Sequence, residues 1–240
     1  MKRIFLTISL MLLTASSLPL GAAEKKHSAV APAHRHSWWT LRHNAVNERV
    51  KQGNVDLIFI GDSITHSWES GGKEVWAEYY APRNAVNMGF GGDRTQHVLW
   101  RLENGEIDGI SPKAAVIMIG TNNSNGKDNT AEEIADGIIG ICKKLRKELP
   151  KMKILLLAVF PRGEKPSSQR EKNAKASELA SKIADGKMIH YLDIGPKFLE
   201  ADKSLSKEIM PDYLHLTPKG YKIWAEATEP KLMELMGETK

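Results

Sequence analysis

Cysteine is almost absent from this sequence. A single Cys142 in 240 residues excludes an intrachain disulfide and any thiolate metal cluster. It stands inside an apolar helical pattern, the ordinary setting of a buried small hydrophobe. No internal linker interrupts the chain, so one domain is expected rather than two. No block of a single charge sign occurs either. Lys and Arg alternate with Glu and Asp in "KKLRKELPKMK" and "REKNAKASELASK", which read as solvated helix faces and not as a nucleic-acid track.

Several nucleotide and hydrolase signatures are also missing. There is no G-x-S-x-G elbow, which argues against an α/β-hydrolase. "GFGGDRT" stops short of G-x-G-x-x-G because Arg94 stands where the third glycine belongs, and no G-x-x-x-x-G-K-[ST] occurs. No cofactor is therefore expected. Asp212 and His215 could be two metal ligands, but no third stands near them, so no metal is expected.

What is present is an ordinary globular composition, 41% hydrophobic and 26% charged, behind an unusual start. Residues 1–23 begin with Lys2 and Arg3, continue through a short apolar run and end in Gly21-Ala22-Ala23. That order is the layout of a secretory signal peptide with cleavage near Ala23, and the run is too short for a membrane-spanning helix. Export to a periplasm or the cell exterior is the expectation, with no stable membrane insertion afterwards. Removing Lys2 and Arg3 takes the formal charge from +5 to +3. Residues 24–36, "EKKHSAVAPAHRH", read as a flexible leader whose three histidines belong to a polar tail. The domain proper is expected to span 37–240.

From Ser37 the pattern becomes helical to about Gly53, with Ser37 as N-cap. Five apolar runs follow: Val55–Ile60, Ala85–Met88, Ala114–Ile119, Ile154–Phe160 and Met188–Leu192. They are nearly continuously apolar, as strands buried on both faces should be. Helical patterns fill the gaps. Thr130 and Glu133 form a capping box ahead of Ile134, Ile138, Ile141, Leu145 and Leu149, a second helix covers roughly Gln169 to Ile183, and a last one follows Pro218. Alternating strands and helices predict a parallel sheet covered on both sides, with ligands beyond the carboxyl ends of the strands.

Four polar clusters sit at those ends: "GDSITHS", "NMGFGGDRT", "GTNNSNG" and "MPDYLHLTPKGY". Ser63 needs a base to take its proton before it can be a nucleophile. From position alone, Ser63 or Thr65 could equally cap the next helix. His215 is the histidine best placed to serve, because it lies in a loop with Asp212 three residues earlier. A turn can fold that carboxylate onto the imidazole and fix its tautomer. His43 and His97 fall within apparent helices, His190 within the last strand, and His66 on the helix after Ser63, where it could point away. An oxyanion hole could draw on the Ser63 and Gly92 N–H groups and the Asn122 amide. The competing readings are a tight turn for Gly92 and a loop cap for Asn122. Arg94 and Arg162 border this edge or carry surface charge, and Trp68 borders it or packs in the core.

Together these residues resemble the GDSL, or SGNH, hydrolases, whose four blocks supply serine, glycine, asparagine and histidine in this order. Within that family, "GGDRTQHVLWRLENGEIDGISPK", "GTNN", "PRGEKP" and "PDYLHLTPKGY" resemble the platelet-activating-factor acetylhydrolase catalytic subunits. The likeness covers about residues 37–236. It implies a flavodoxin-like three-layer α/β/α sandwich with five parallel strands. It also implies a serine esterase with Ser63 as nucleophile, His215 as base, Asp212 as its orienter, and Ser63, Gly92 and Asn122 as oxyanion hole. Ile64 stands where the first block usually has leucine, a conservative change. The signal peptide is a larger departure, because those acetylhydrolases are cytosolic. Exported members often deacetylate carbohydrates, so short-acyl carbohydrate esters are the expected substrates. A lysophospholipid or ether phospholipid is the alternative, and a non-catalytic sugar-binding or scaffold module a second one. The related subunits pair, which makes a homodimer an open expectation.

Overall fold

A computed structural model describes residues 26–239. The expected signal peptide lies outside the described residues.

The five apolar runs form β1 (Leu57–Gly61), β2 (Ala85–Gly89), β3 (Ala114–Met118), β4 (Lys153–Leu157) and β5 (Ile189–Leu192). They make one parallel sheet in the order β2-β1-β3-β4-β5. Parallel strands need crossovers, and helices supply them. These are α1 (Trp38–Lys51), α2 (Ser63–His66), α3 (Lys73–Tyr79), α4 (Thr95–Leu102), α5 (Ala131–Glu148), α6 (Ser168–Ser181) and α7 (Pro218–Met236). Among the described residues, no helix is long and apolar enough to cross a membrane.

Side chains alternate across the pleat, so the sheet divides the apolar residues into two cores. Ile58, Ile60, Ala115, Ile117, Ile154 and Leu156 face one way and meet α1, α4, α5 and α6. Leu57, Phe59, Ala114, Val116, Met118, Leu155 and Leu157 face the other and meet Trp68, Tyr80 and α7. This is the three-layer α/β/α sandwich with a flavodoxin-like strand order. Because the chain leaves β1 for β2 and then returns to β3 on the other side, the switch point lies between β1 and β3.

Local expectations hold at some helix ends and fail at one. Thr130 accepts from the Glu133 N–H while the Glu133 carboxylate accepts from the Thr130 N–H, the reciprocal box read from the sequence. Ser37 does not cap α1: its φ of +64° leaves its side chain without a cap hydrogen bond.

The ends of β1 and β2 are pressed against α2. A Cβ on Gly89 would stand 2.2 Å from the His66 amide nitrogen and 2.5 Å from the Thr65 carbonyl carbon, both backbone atoms. Nothing larger than hydrogen fits there without moving α2. Gly89→Ala is therefore expected to destabilise the fold by about 1–3 kcal/mol through overpacking. Urea unfolding measures this, and an unchanged midpoint would contradict the contact.

Candidate active site

Strand β1 ends at Gly61 and the chain turns directly into α2. Asp62 caps that helix, with Oδ1 accepting from the Ile64 N–H at 3.0 Å. Ser63 is therefore the first helical residue and not the cap. Its own N–H makes no hydrogen bond among the described residues, and its hydroxyl faces the loop before α7. The buried Tyr221 hydroxyl donates to the Ile64 carbonyl at 2.6 Å, tying α7 to α2.

That loop carries Asp212 and His215. Asp212 folds back, its Oδ1 accepting from the backbone N–H groups of Leu214 at 3.0 Å and His215 at 2.7 Å. Tyr213 makes the turn in a left-handed conformation, φ +57°, which bulky residues seldom adopt. Asp212 Oδ2 then lies 2.6 Å from His215 Nδ1, and His215 Nε2 lies 2.9 Å from Ser63 Oγ. A proton on Nδ1 shared with the carboxylate leaves Nε2 free to accept from the serine hydroxyl. Burial pushes the Asp212 pKa up. Hydrogen bonds from the His215 ring and the two backbone N–H groups outweigh that and hold it below the usual carboxylate value.

The loop after β2 supplies the other side. Gly92 has φ +73°, is exposed, and has an N–H with no hydrogen bond among the described residues. Asn122, after β3, donates from Nδ2 to the Asp93 carbonyl at 2.9 Å, so its amide is tethered to that loop. Ser63, Gly92 and Asn122 thus stand along the switch-point edge with Asp212 and His215. The arrangement can deprotonate a hydroxyl and present N–H donors to a developing oxyanion.

The loop is held from beneath by Asp93, which is fully buried. Its carboxylate accepts from Trp39 Nε1 at 2.7 Å, Arg101 Nε at 2.9 Å and Arg35 Nη1 at 3.1 Å. Arg101, itself fully buried, also pairs with Glu106 and lies over the Phe90 ring at 4.0 Å. His43 lies in α1, as expected, with Nδ1 3.2 Å from Glu106 Oε1. His97 in α4 accepts the Arg94 N–H, and burial with the charges of Arg35, Arg94 and Arg101 lowers its pKa to about 4. His66 does not point away. Its Nδ1 accepts from the Gly91 N–H at 3.2 Å, and burial and then Arg42 lower its pKa, favouring the neutral ring.

The leader expected to be mobile is docked over its described part, 26–36. Ala29 is fully buried, its carbonyl accepting from Thr95 Oγ1 at 2.8 Å, and Ser28 Oγ accepts from Asn129 Nδ2 at 3.0 Å. The segment delivers Arg35 to the Gly91 carbonyl at 2.8 Å and to Asp93. A small side chain and satisfied carbonyls suffice to seat it, and neither leaves a periodic signal in sequence. Of the three flanking residues, Arg162 donates from Nη1 to Thr121 and Asn125, and both Asp62 and Asp212 act on its charge. Arg94 pairs with Asp128 at the surface, and Trp68 is buried in the core. A cavity of about 410 Å³ between α6 and β5, lined by Tyr191, Asp193 and Ser177 among others, shares none of these residues.

Asp62 is the remaining unusual group. It is fully buried, its Oδ2 has no hydrogen-bond partner among the described residues, and burial raises its pKa from 3.8 to about 7 against the pull of the Ile64 N–H. A carboxyl that holds its proton more tightly when folded loses stabilising effect as pH rises from its unfolded towards its folded pKa. Asp62→Asn keeps an oxygen for the cap and removes the titration. The unfolding free energy of the variant minus that of wild type should therefore rise from about pH 4 to about pH 7 and level off above. A difference independent of pH would refute a protonated Asp62.

The GDSL-like lipase/acylhydrolase family model matches residues 59–223. The chain is 40% identical over 203 residues to platelet-activating factor acetylhydrolase IB subunit alpha2 of Rattus norvegicus, covering 84% of this chain and 86% of that one. It is 38% identical over 202 residues to the human alpha1 subunit, covering 84% and 85%. Among solved structures, it resembles a GDSL-like lipase from Bacteroides thetaiotaomicron with TM-score 0.60 at 22% identity, covering 82% and 96%. It likewise resembles the acetylxylan esterase of Geobacillus stearothermophilus with TM-score 0.60 at 20% identity, covering 77% and 95%. Those two likenesses concern the fold. The chain belongs to the GDSL-like lipase/acylhydrolase family and is a hydrolase acting on ester bonds.

Proposed function

We propose that this hydrolase removes short acyl groups, chiefly acetyl, from carbohydrate esters outside the cytoplasm, after its N-terminal segment has been cleaved near Ala23. The observation that carries the chemistry is His215 standing between Ser63 Oγ at 2.9 Å and Asp212 Oδ2 at 2.6 Å. In this reading Ser63 Oγ attacks the ester carbonyl while His215 Nε2 takes its proton. Negative charge develops on the former carbonyl oxygen and meets the N–H groups of Ser63 and Gly92 and the Asn122 amide. His215 returns the proton to the departing alcohol, leaving an acyl group on Ser63. Water, deprotonated by His215, then releases the acid. Asp212, held ionised by its hydrogen bonds, fixes the imidazole tautomer and favours the imidazolium.

The acyl preference is supported by relatives at about 40% identity that are named acetylhydrolases. Those same relatives favour the second reading, a lipid ester, whereas this chain opens with the signal-like start at Lys2 and Arg3. The carbohydrate reading is ours and rests on that start.

Ser63→Ala should lower turnover of p-nitrophenyl acetate by roughly 10³-fold or more. Equal rates in variant and wild type would sink the serine mechanism. An ester panel varying acyl length and alcohol decides the substrate. Acetylated xylo-oligosaccharide should exceed lysophosphatidylcholine and platelet-activating factor in kcat/KM, and the reverse order would replace the carbohydrate with a lipid.

A further inference from the structure

Beside the Ser63 edge, α1 begins with an aromatic side chain that the core does not take. Trp38 is 46% exposed, whereas its neighbour Trp39 is fully buried. It is nevertheless fixed in place. Its ring stacks against the His66 imidazole at 6.1 Å and 23°, and His66 is one helical turn after Ser63. Its Cη2 lies 3.5 Å from where a Cβ on Gly91 would stand, so the indole rests against the same loop that carries Gly92. Ser37 holds a left-handed backbone immediately before it, an arrangement that persists only when the surroundings impose it.

Arg35 completes the surface. Its guanidinium lies 5.8 Å from the Trp38 ring, and both terminal nitrogens lie 3.4 Å from the Cβ position of Gly92. Nη1 is engaged by Gly91 and Asp93, while Nη2 and Nε make no hydrogen bond among the described residues. An ordered half-exposed indole flanked by unused planar donors suits a ligand with one apolar face and a rim of hydroxyls. A pyranose ring has that form: its axial C–H groups stack on an indole while its hydroxyls accept from a guanidinium.

We propose that Trp38 and Arg35 form the subsite for the alcohol part of the ester, with the sugar ring stacked on Trp38 beside Gly92. The proposal rests on the carbohydrate reading and sharpens it, because it places the leaving group on the β2 side of Ser63. It also gives the docked leader a function, since Arg35 reaches the site only from that segment. Leu41, 72% exposed one turn along α1, extends the apolar surface outward and allows for a second sugar unit.

The test compares two esters sharing an acetyl group, acetylated xylo-oligosaccharide and methyl acetate, in wild type, Trp38→Ala and Trp38→Phe. The ratio of kcat/KM for the oligosaccharide to that for methyl acetate should fall about 10-fold in Trp38→Ala, through KM, and be largely restored in Trp38→Phe. The deacetylated oligosaccharide should inhibit wild type competitively and the alanine variant about 10-fold less well. A merely structural Trp38 would lower both esters together and leave the ratio unchanged, which overturns the subsite while sparing the carbohydrate reading. A wild type that fails to hydrolyse the oligosaccharide overturns both. Loss confined to lysophosphatidylcholine micelles would assign the patch to lipid, and a wild-type dimer that Trp38→Ala dissociates would assign it to a second copy. Either result defeats the sugar platform.

Discussion

The arrangement of the site depends on one buried carboxylate. Asp93 has no exposure, yet it gathers donors from three separate parts of the chain: Trp39 in α1, Arg101 in α4 and Arg35 in the N-terminal segment. A buried charge is tolerated only when it is fully paired, so each donor is needed by the carboxylate as much as it is used by it. The consequence lies one residue earlier. Gly92 is exposed on a loop whose next residue is anchored on three sides, and the Asp93 carbonyl also holds the Asn122 amide. Gly92 and the Asn122 amide, the groups our proposed mechanism offers to an oxyanion, are therefore tied to one another through Asp93.

The opposite flank of the site is built by a different device. Asp212 is not buried with partners around it but folds onto its own backbone, accepting from Leu214 and His215 before it meets the imidazole. Four residues accomplish this, with Tyr213 in a left-handed conformation at the bend. Such a compact unit can be read from a D-x-x-H spacing. Its docking on Ser63 cannot, because that requires the start of α7 to meet α2, a contact the Tyr221 hydroxyl makes at Ile64. The mobile-looking parts of the site are thus local and self-contained, and the packed core orients them.

Sequence patterns transmitted the sheet well and its margins less well. Each of the five apolar runs became a strand, because a strand buried on both faces must be apolar at every position. Some of their ends shifted, by up to three residues: the run beginning at Val55 starts pairing at Leu57, and the run to Phe160 stops pairing at Leu157. Beyond those points apolar side chains still fill the core, which composition records but the hydrogen-bond ladder does not. Ser37 looked like a helix cap, and Asp62, one residue before the serine, turned out to be one. His66 looked diverted along its helix, but the inward face of α2 is set by the close approach of Gly89, and that face turns His66 Nδ1 to Gly91. The leader looked free because it has no periodicity. It docks through a buried alanine, one main-chain bond from Ala33 to Gln96 and side-chain bonds of Thr95, Asn129 and Arg35.

By itself, the sequence determined the parallel α/β architecture and the edge on which chemistry would gather, since both follow from short-range rules of strand burial and of what must happen where a strand ends. It also singled out Ser63, Gly92, Asn122, Asp212 and His215 as candidates. Tertiary structure alone decided which of these meet, that Asp93 with its ring of donors underlies Gly92, and that Arg35 and Trp38 stand beside it. Most of those contacts join residues separated by dozens to more than a hundred positions, and their energy comes from desolvation and charge pairing. Neither leaves a trace in the local order of residues.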